Sequence, residues 1–275
     1  MTVRVRRGRL EGRVAIVTGA GSRAEGIGNG RAASVLMARE GARVTLVDLE
    51  RSWAERTLAM IAEEGGEAHV VIADVTRPED SRSIVASTVE RWGRLDVLVN
   101  NVGVTGPSGT ALDVDLAQWD EGFRVNVTSM MLMARFAIPE MRKSGGGSIV
   151  NLSSVAGLSG GHPKLLYPTT KAAVIGLTRA MAAHHGTQGI RVNAVAPGLV
   201  YTPMVATRGM TSEMREDRRR RGLLETEGTG WDIGAAIVYL ACDDSRWVTG
   251  TVLTVDAGLM AGFDRLNPDS ERPSL

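Results

Sequence analysis

This sequence is short of several residue types that common chemistries need. It has a single cysteine, Cys242, so no internal disulfide and no cysteine-rich metal site can form. One thiol suits a reducing compartment, and the cytoplasm is the expected location. There are four histidines, and no two stand with carboxylates at metal-ligand spacing, so no catalytic metal is expected. No apolar run is long enough to span a bilayer. The formal net charge is only +1, so bulk charge points to neither a nucleic acid nor a membrane partner. Residues 1–10 are basic but have no apolar core segment, which reads as a basic N-terminal tail and not as a secretory signal. Tyrosines number three (Tyr167, Tyr201, Tyr239), and so do lysines (Lys143, Lys164, Lys171).

What remains is ordinary for a globular protein: 43% apolar and 23% charged residues in 275, enough for one large α/β domain over 1–275. Short β-rich runs alternate with longer helical patterns. Strands are expected at 14–18, 43–48, 68–73, 95–100, 148–153, 190–196 and 251–255. Helices are expected at 27–40, 53–64, 78–92, 116–143, 168–185 and 230–242. Near-continuous apolar strands between amphipathic helices imply a parallel seven-stranded sheet covered on both faces, the doubly wound architecture. Segment 198–229 is the least regular and reads as a substrate-side insertion over the carboxyl ends of the strands. Residues 263–275, rich in Pro, Asp and Ser, read as a C-terminal tail.

Two features carry chemistry. Tyr167 has a lysine, Lys171, at the fourth following position, and neither of the other tyrosines does. Four residues along a helix share one face. A phenol has a reference pKa of about 10, and a cation nearby favours the phenolate. Such a pair can exchange a proton with an alcohol or a carbonyl. The second feature is the glycine-rich stretch Gly19, Gly21, Gly26, Ile27 and Gly28, which runs from the first strand into a helix. A turn of that kind lets backbone approach a pyrophosphate at a helix N-terminus. Asp48 ends the second strand, where an acidic residue accepts hydrogen bonds from ribose hydroxyls and repels a 2′-phosphate. That favours NAD. Arg23, inside the glycine stretch, could instead reach a 2′-phosphate, so NADP stays open.

With these motifs in this order the chain resembles the short-chain dehydrogenase/reductase family, over about residues 10–260. Thr18-Gly19 and Gly26-Ile27-Gly28 are similar to its cofactor loop, although six residues separate them here where the family has three. The resemblance implies that Asp74 and Val75 contact adenine. It also implies that Asn101, Val102 and Gly103 form the turn after the fourth strand, and that Pro197, Gly198 and Thr202 hold the carboxamide. It implies a catalytic set of Asn126, Ser154, Tyr167 and Lys171, with Asn126 holding a water and Ser154 the substrate oxygen. Tyr167 and Lys171 would also touch the cofactor. Ser153, next door, is expected to have a structural role. Val104, His162, Leu165, Leu166 and Met204 are expected to border a small-molecule alcohol or ketone. A homotetramer is implied as well.

The leading expectation is an oxidoreductase moving a hydride between NAD(H) and a secondary alcohol or ketone. An NADPH-dependent reductase of carbonyls such as 3-oxoacyl thioesters is the alternative within the class. A non-catalytic NAD(P)-binding redox sensor is the alternative outside it. The arginine run 218–221 reads as a solvated face, or as a site for an anionic substrate.

Overall fold

The structure is a computed structural model that describes residues 8–207 and 209–262. Seven strands form one parallel sheet in the order β3-β2-β1-β4-β5-β6-β7. They are β1 (Val14–Thr18), β2 (Arg43–Asp48), β3 (Ala68–Ile72), β4 (Val97–Asn100), β5 (Gly147–Leu152), β6 (Ile190–Pro197) and β7 (Val252–Val255). The helices are α1 (Asn29–Arg39), α2 (Arg51–Glu63), α3 (Pro78–Trp92), α4 (Leu116–Phe123), α5 (Ser129–Lys143), α6 (Leu166–His185), α7 (Pro203–Ala206), α8 (Ser212–Arg220) and α9 (Gly230–Ala241). The chain order reverses between β1 and β4, which opens a crevice at the carboxyl ends of those two strands.

Strand alternation explains the two-faced core. Successive strand residues point to opposite faces. Ala15 and Val17 enter one cluster, with residues of α1 and α9, while Ile16 enters the other, with residues of α3 and α5. Every residue of β1 is buried, as a central parallel strand requires. Local signals set the helix ends. Pro78 opens α3, and Gly93 closes it in the left-handed region at φ 76°. Thr229 and Asp232 form a capping box at the start of α9.

Two expectations change. The expected basic tail does not extend to residue 10: Arg9 hydrogen-bonds Glu40, and Leu10 is buried in the core cluster that holds Val44 and Leu46 of β2. Residues 1–7 and the C-terminal tail 263–275 lie outside the described residues. The single helix expected over 116–143 is interrupted by a π-helical turn, Arg124–Thr128. Segment 198–229 carries two short helices, α7 and α8. Pro203 of α7 reaches the glycine loop, its Cγ 3.3 Å from where a Cβ on Gly26 would stand. No helix of the described residues is long and apolar enough to cross a membrane.

Candidate active site

Helix α6 sets Tyr167 in its first turn and Lys171 one turn later. Lys171 is buried, and its Nζ lies 5.7 Å from the centre of the Tyr167 ring. Its ammonium donates to the carbonyl of Leu152, at the end of β5, over 2.7 Å. Burial pulls its pKa from 10.5 down to about 8. Ser154 follows β5 and is almost fully covered. Its Oγ accepts from the Ala156 N–H at 3.2 Å, which leaves its own proton to donate elsewhere. Ser153 donates to the carbonyl of Lys171 at 2.8 Å and so ties the strand end to α6. That is the structural hydroxyl anticipated for it.

Asn126 sits in the π-helical turn and is fully buried. Its Oδ1 accepts from the Val104 N–H at 2.7 Å, and its Nδ2 donates to the Val104 carbonyl at 2.8 Å and to Thr170 Oγ1 at 2.9 Å. Both amide protons are thereby used. The extra residue of a π turn re-aims a side chain inward, and such turns recur at functional sites. Thr170, which no sequence signal marked, completes this network from α6. Gly103 packs against it. A Cβ there would come within 3.2 Å of Lys171 Nζ and 3.4 Å of Asn126 Oδ1. A methyl group at this point would crowd the ammonium.

The glycine loop lies at the crevice on the β1 side. Asp48 Oδ2 accepts from the Gly21 N–H at 2.8 Å, and Oδ1 accepts from Leu49 at 2.9 Å. A Cβ on Gly21 would collide with Trp53 Cβ at 2.6 Å and with Asp48 Oδ2 at 2.9 Å. Asn101 Nδ2 donates to the carbonyls of Thr18 and Gly19 at 3.1 and 2.9 Å. Arg23 is exposed and stacks its guanidinium over Trp53 at 5.7 Å. Trp53 was not anticipated; an aromatic at the start of α2 carries no pattern of its own. The Asp74 carboxylate accepts from Thr76 N and Oγ1 at 2.9 and 2.6 Å. Burial works to raise its pKa, but the Thr76 bonds and nearby Arg124 and Arg77 leave it lowered. The Val75 side chain belongs to the core, so only its backbone is available to a ligand. Val102 packs on the same core. Gly198 donates to the Val255 carbonyl at 2.9 Å, next to Pro197 at the end of β6, and Thr202 stands just before α7 with no side-chain cap bond to it.

A dinucleotide fits these residues on structural grounds. The N-cap of α1 is Gly28, no side chain caps it, and its first turn has no acidic residue. Its terminal N–H groups are thus left for an anion.

On the substrate side, the His162 ring stacks against Tyr167 with centroids 5.1 Å apart. Lys164, just beyond, donates to the Gly106 carbonyl. Leu165 and Met204 are exposed to 37% and 45%. Leu166 departs from expectation. It is fully buried, filling the space that the missing side chains of Gly106 and Gly122 leave, so it cannot face a substrate in this conformation. The arginine run is likewise internally satisfied. Arg219 and Arg220 pair with Glu216, Arg221 pairs with Asp217, and Arg218 donates to the Val200 carbonyl.

The doubly wound sheet, a glycine loop at its switch point and a Tyr–Lys pair at the mouth of the crevice define a dinucleotide-dependent oxidoreductase. The family model described as enoyl-(acyl carrier protein) reductase matches residues 21–260, and the chain belongs to the short-chain dehydrogenase/reductase family. It is 35% identical to a 7alpha-hydroxysteroid dehydrogenase of Bacteroides fragilis, over 91% of this chain and 95% of that one. It is 36% identical to a 3-oxoacyl-(acyl-carrier-protein) reductase of Thermotoga maritima, over 92% and 99%. A solved 7alpha-hydroxysteroid dehydrogenase, complexed with NADH and 7-oxo glycochenodeoxycholic acid, superposes with a TM-score of 0.84. It is 31% identical, with 91% of this chain and 95% of that one covered.

Proposed function

We propose that this chain interconverts a secondary alcohol and a ketone with NAD(H), using Tyr167 as acid/base and Asn126, Ser154 and Lys171 beside it. The carrying observation is the burial of Lys171 against the Tyr167 ring at the carboxyl end of β5. When bound, the nicotinamide supplies the hydride donor or acceptor. Tyr167 gives or takes the proton at the substrate oxygen through its hydroxyl. A buried cation one turn away favours the phenolate and so lowers the cost of that transfer. Lys171 keeps N–H groups beyond the one given to Leu152, and these suit ribose hydroxyls. Ser154 donates its free proton to the substrate oxygen and stabilises charge as it develops there. Asn126 fixes the Val104 turn against α6 and holds the water that links Lys171 to solvent. Val104, His162, Leu165 and Met204 border the substrate, and 198–229 covers it.

Asp48 supports NAD. Its carboxylate, braced by Gly21 and Leu49, offers its remaining lone pairs to two ribose hydroxyls and repels a phosphate. Asp48→Ala should lower kcat/KM for NAD about tenfold or more and raise the NADP:NAD ratio by a similar factor, on the scale of about 1.4 kcal/mol per tenfold change. Steady-state rates with both cofactors decide this, and an unchanged ratio would remove Asp48 from the assignment. The second reading, an NADPH-dependent carbonyl reductase, rests on Arg23. It is exposed on the loop and already placed beside Trp53.

The test of the whole reading is nicotinamide absorbance change on a panel of hydroxysteroids, simple secondary alcohols and 3-oxoacyl thioesters, each with NAD(H) and NADP(H). Failure to bind either cofactor would sink it. A cytoplasmic homotetramer joined through α4, α5 and α6 completes the proposal. It would cover Leu116 and Met131, which are 74% and 40% exposed in the single chain, and light scattering would detect it.

A further inference from the structure

The glycine loop of this chain is longer than the motif it resembles, and an extra three residues of open loop would ordinarily weaken a preformed anion site. The structure contains a device that answers this. Arg31, on the first turn of α1, is 4% exposed, an unusual place for a guanidinium. Its hydrogen bonds go to two carbonyls and a hydroxyl rather than to a carboxylate. Nη1 donates to the Gly26 carbonyl at 2.6 Å, Nη2 to the Trp53 carbonyl at 3.3 Å and Nε to Thr57 Oγ1 at 3.1 Å. Thr57 in turn donates to the Ala20 carbonyl at 2.8 Å. Ala20 and Gly26 are the two ends of the lengthened part of the loop. One arginine therefore holds both ends, one directly and one through Thr57, and straps them to α2.

From these contacts we infer that Arg31 is the positioning residue of the dinucleotide site, fixing the long loop in its anion-binding shape and placing a positive charge behind it. Two physical effects follow. All peptide bonds among the described residues are trans, so a carbonyl and the N–H of the same peptide unit point opposite ways. Drawing the Gly26 carbonyl inward turns the Ile27 N–H outward, away from the buried guanidinium. A charge-assisted bond to that carbonyl also polarises the peptide and makes the N–H a better donor. The field of a buried cation adds to the positive end of α1. Burial lowers the pKa of this guanidinium, Arg56 lowers it further, and the Asp48 carboxylate opposes both.

This inference rests on the loop being the diphosphate site, as proposed above. Four proteins test it: the full-length chain, Arg31→Met, Arg31→Lys and Thr57→Val. Each is titrated with NADH by nicotinamide fluorescence, and hydrogen exchange of 20–28 is followed without cofactor. Arg31→Met should weaken NADH binding about 30-fold and speed loop exchange by at least tenfold. The cofactor KM should rise in step, while kcat at saturating cofactor and the alcohol KM hold within about twofold. Arg31→Lys, which keeps charge but cannot span three acceptors, should fall between. Thr57→Val, which frees only the Ala20 end, should weaken binding about fivefold. A general packing role would instead lower thermal stability and leave the cofactor KM alone. Should Arg31→Met fail to fold, the lysine and Thr57 variants decide, and binding and exchange equal to the parent in both would overturn the inference. A parent chain that binds neither NADH nor NADPH would overturn the diphosphate reading itself, an outcome separable from the other because it appears before any substitution.

Discussion

Tyr167→Phe removes one oxygen atom and should lower kcat by about a thousandfold, near the middle of the range for a positioned acid/base. The ring stays to pack against His162 and Lys171, so NADH binding should hold within about threefold and the melting temperature should barely move. Stopped-flow or steady-state absorbance at saturating cofactor and substrate measures the first, and fluorescence titration the second. A variant that kept a tenth of the parent rate would remove Tyr167 from the chemistry. Because the ring and the rest of the cofactor site stay in place, a loss of turnover with retained binding also separates an enzyme from a redox sensor.

Lys171→Met should separate activity from stability. Turnover at pH 7 should fall at least a hundredfold, because the cation next to the phenol is lost. The folded protein without cofactor should nonetheless become more stable. Burial holds the Lys171 pKa at about 8 against 10.5 in an exposed lysine, a penalty of about 3 kcal/mol at 1.36 kcal/mol per unit. Losing the bond to the Leu152 carbonyl returns about 1 kcal/mol of that, so a net gain of about 2 kcal/mol is expected at pH 7. The sign follows from proton counting. Below pH 8 the lysine is charged both folded and unfolded, and the folded state carries the full penalty. Between about 8 and 10.5 the folded lysine gives up its proton while the unfolded one keeps it, so parent stability rises with pH. The advantage of the methionine variant should therefore be largest at pH 7 and vanish by about pH 10. Urea unfolding at those two values checks it, and a variant less stable than its parent at pH 7 would contradict the assignment of the penalty.

Much of the fold could be read from the chain because its signals are local. Strand runs such as Val14–Thr18 are apolar throughout, and their spacing by amphipathic helices leaves few architectures. Tyr167 and Lys171 were legible because a helix converts a spacing of four into one face. What could not be read locally depends on partners far along the chain. Asn126 leaves the α-helical register because Val104 and Thr170, 22 and 44 positions away, satisfy its amide. Leu166 reads the same whether it lines a pocket or fills a core, and two glycines at 106 and 122 decide for the core. Arg31 looks like any helix cation until the fold brings Gly26, Trp53 and Thr57 around it. Arg9 and Leu10 read as tail because neither Glu40 nor the core edge is visible from residues 1–10 alone.

The π-helical turn also fixes how this part of the chain can change in length. An α-helix advances 100° per residue, and the turn at Arg124–Thr128 holds one residue more than the regular helix would. Removing any one residue there would heal the helix into a single regular rod. Because the wider turn takes up its extra residue within itself, Trp119 and Phe123 would keep their bearing, while Asn126 would be drawn back into the regular ladder and away from Val104. The better-formed helix would thus be the inactive one. The extra residue behaves as a phase marker in the sequence: substitutions around it are a matter of degree, whereas a change of length is all or nothing.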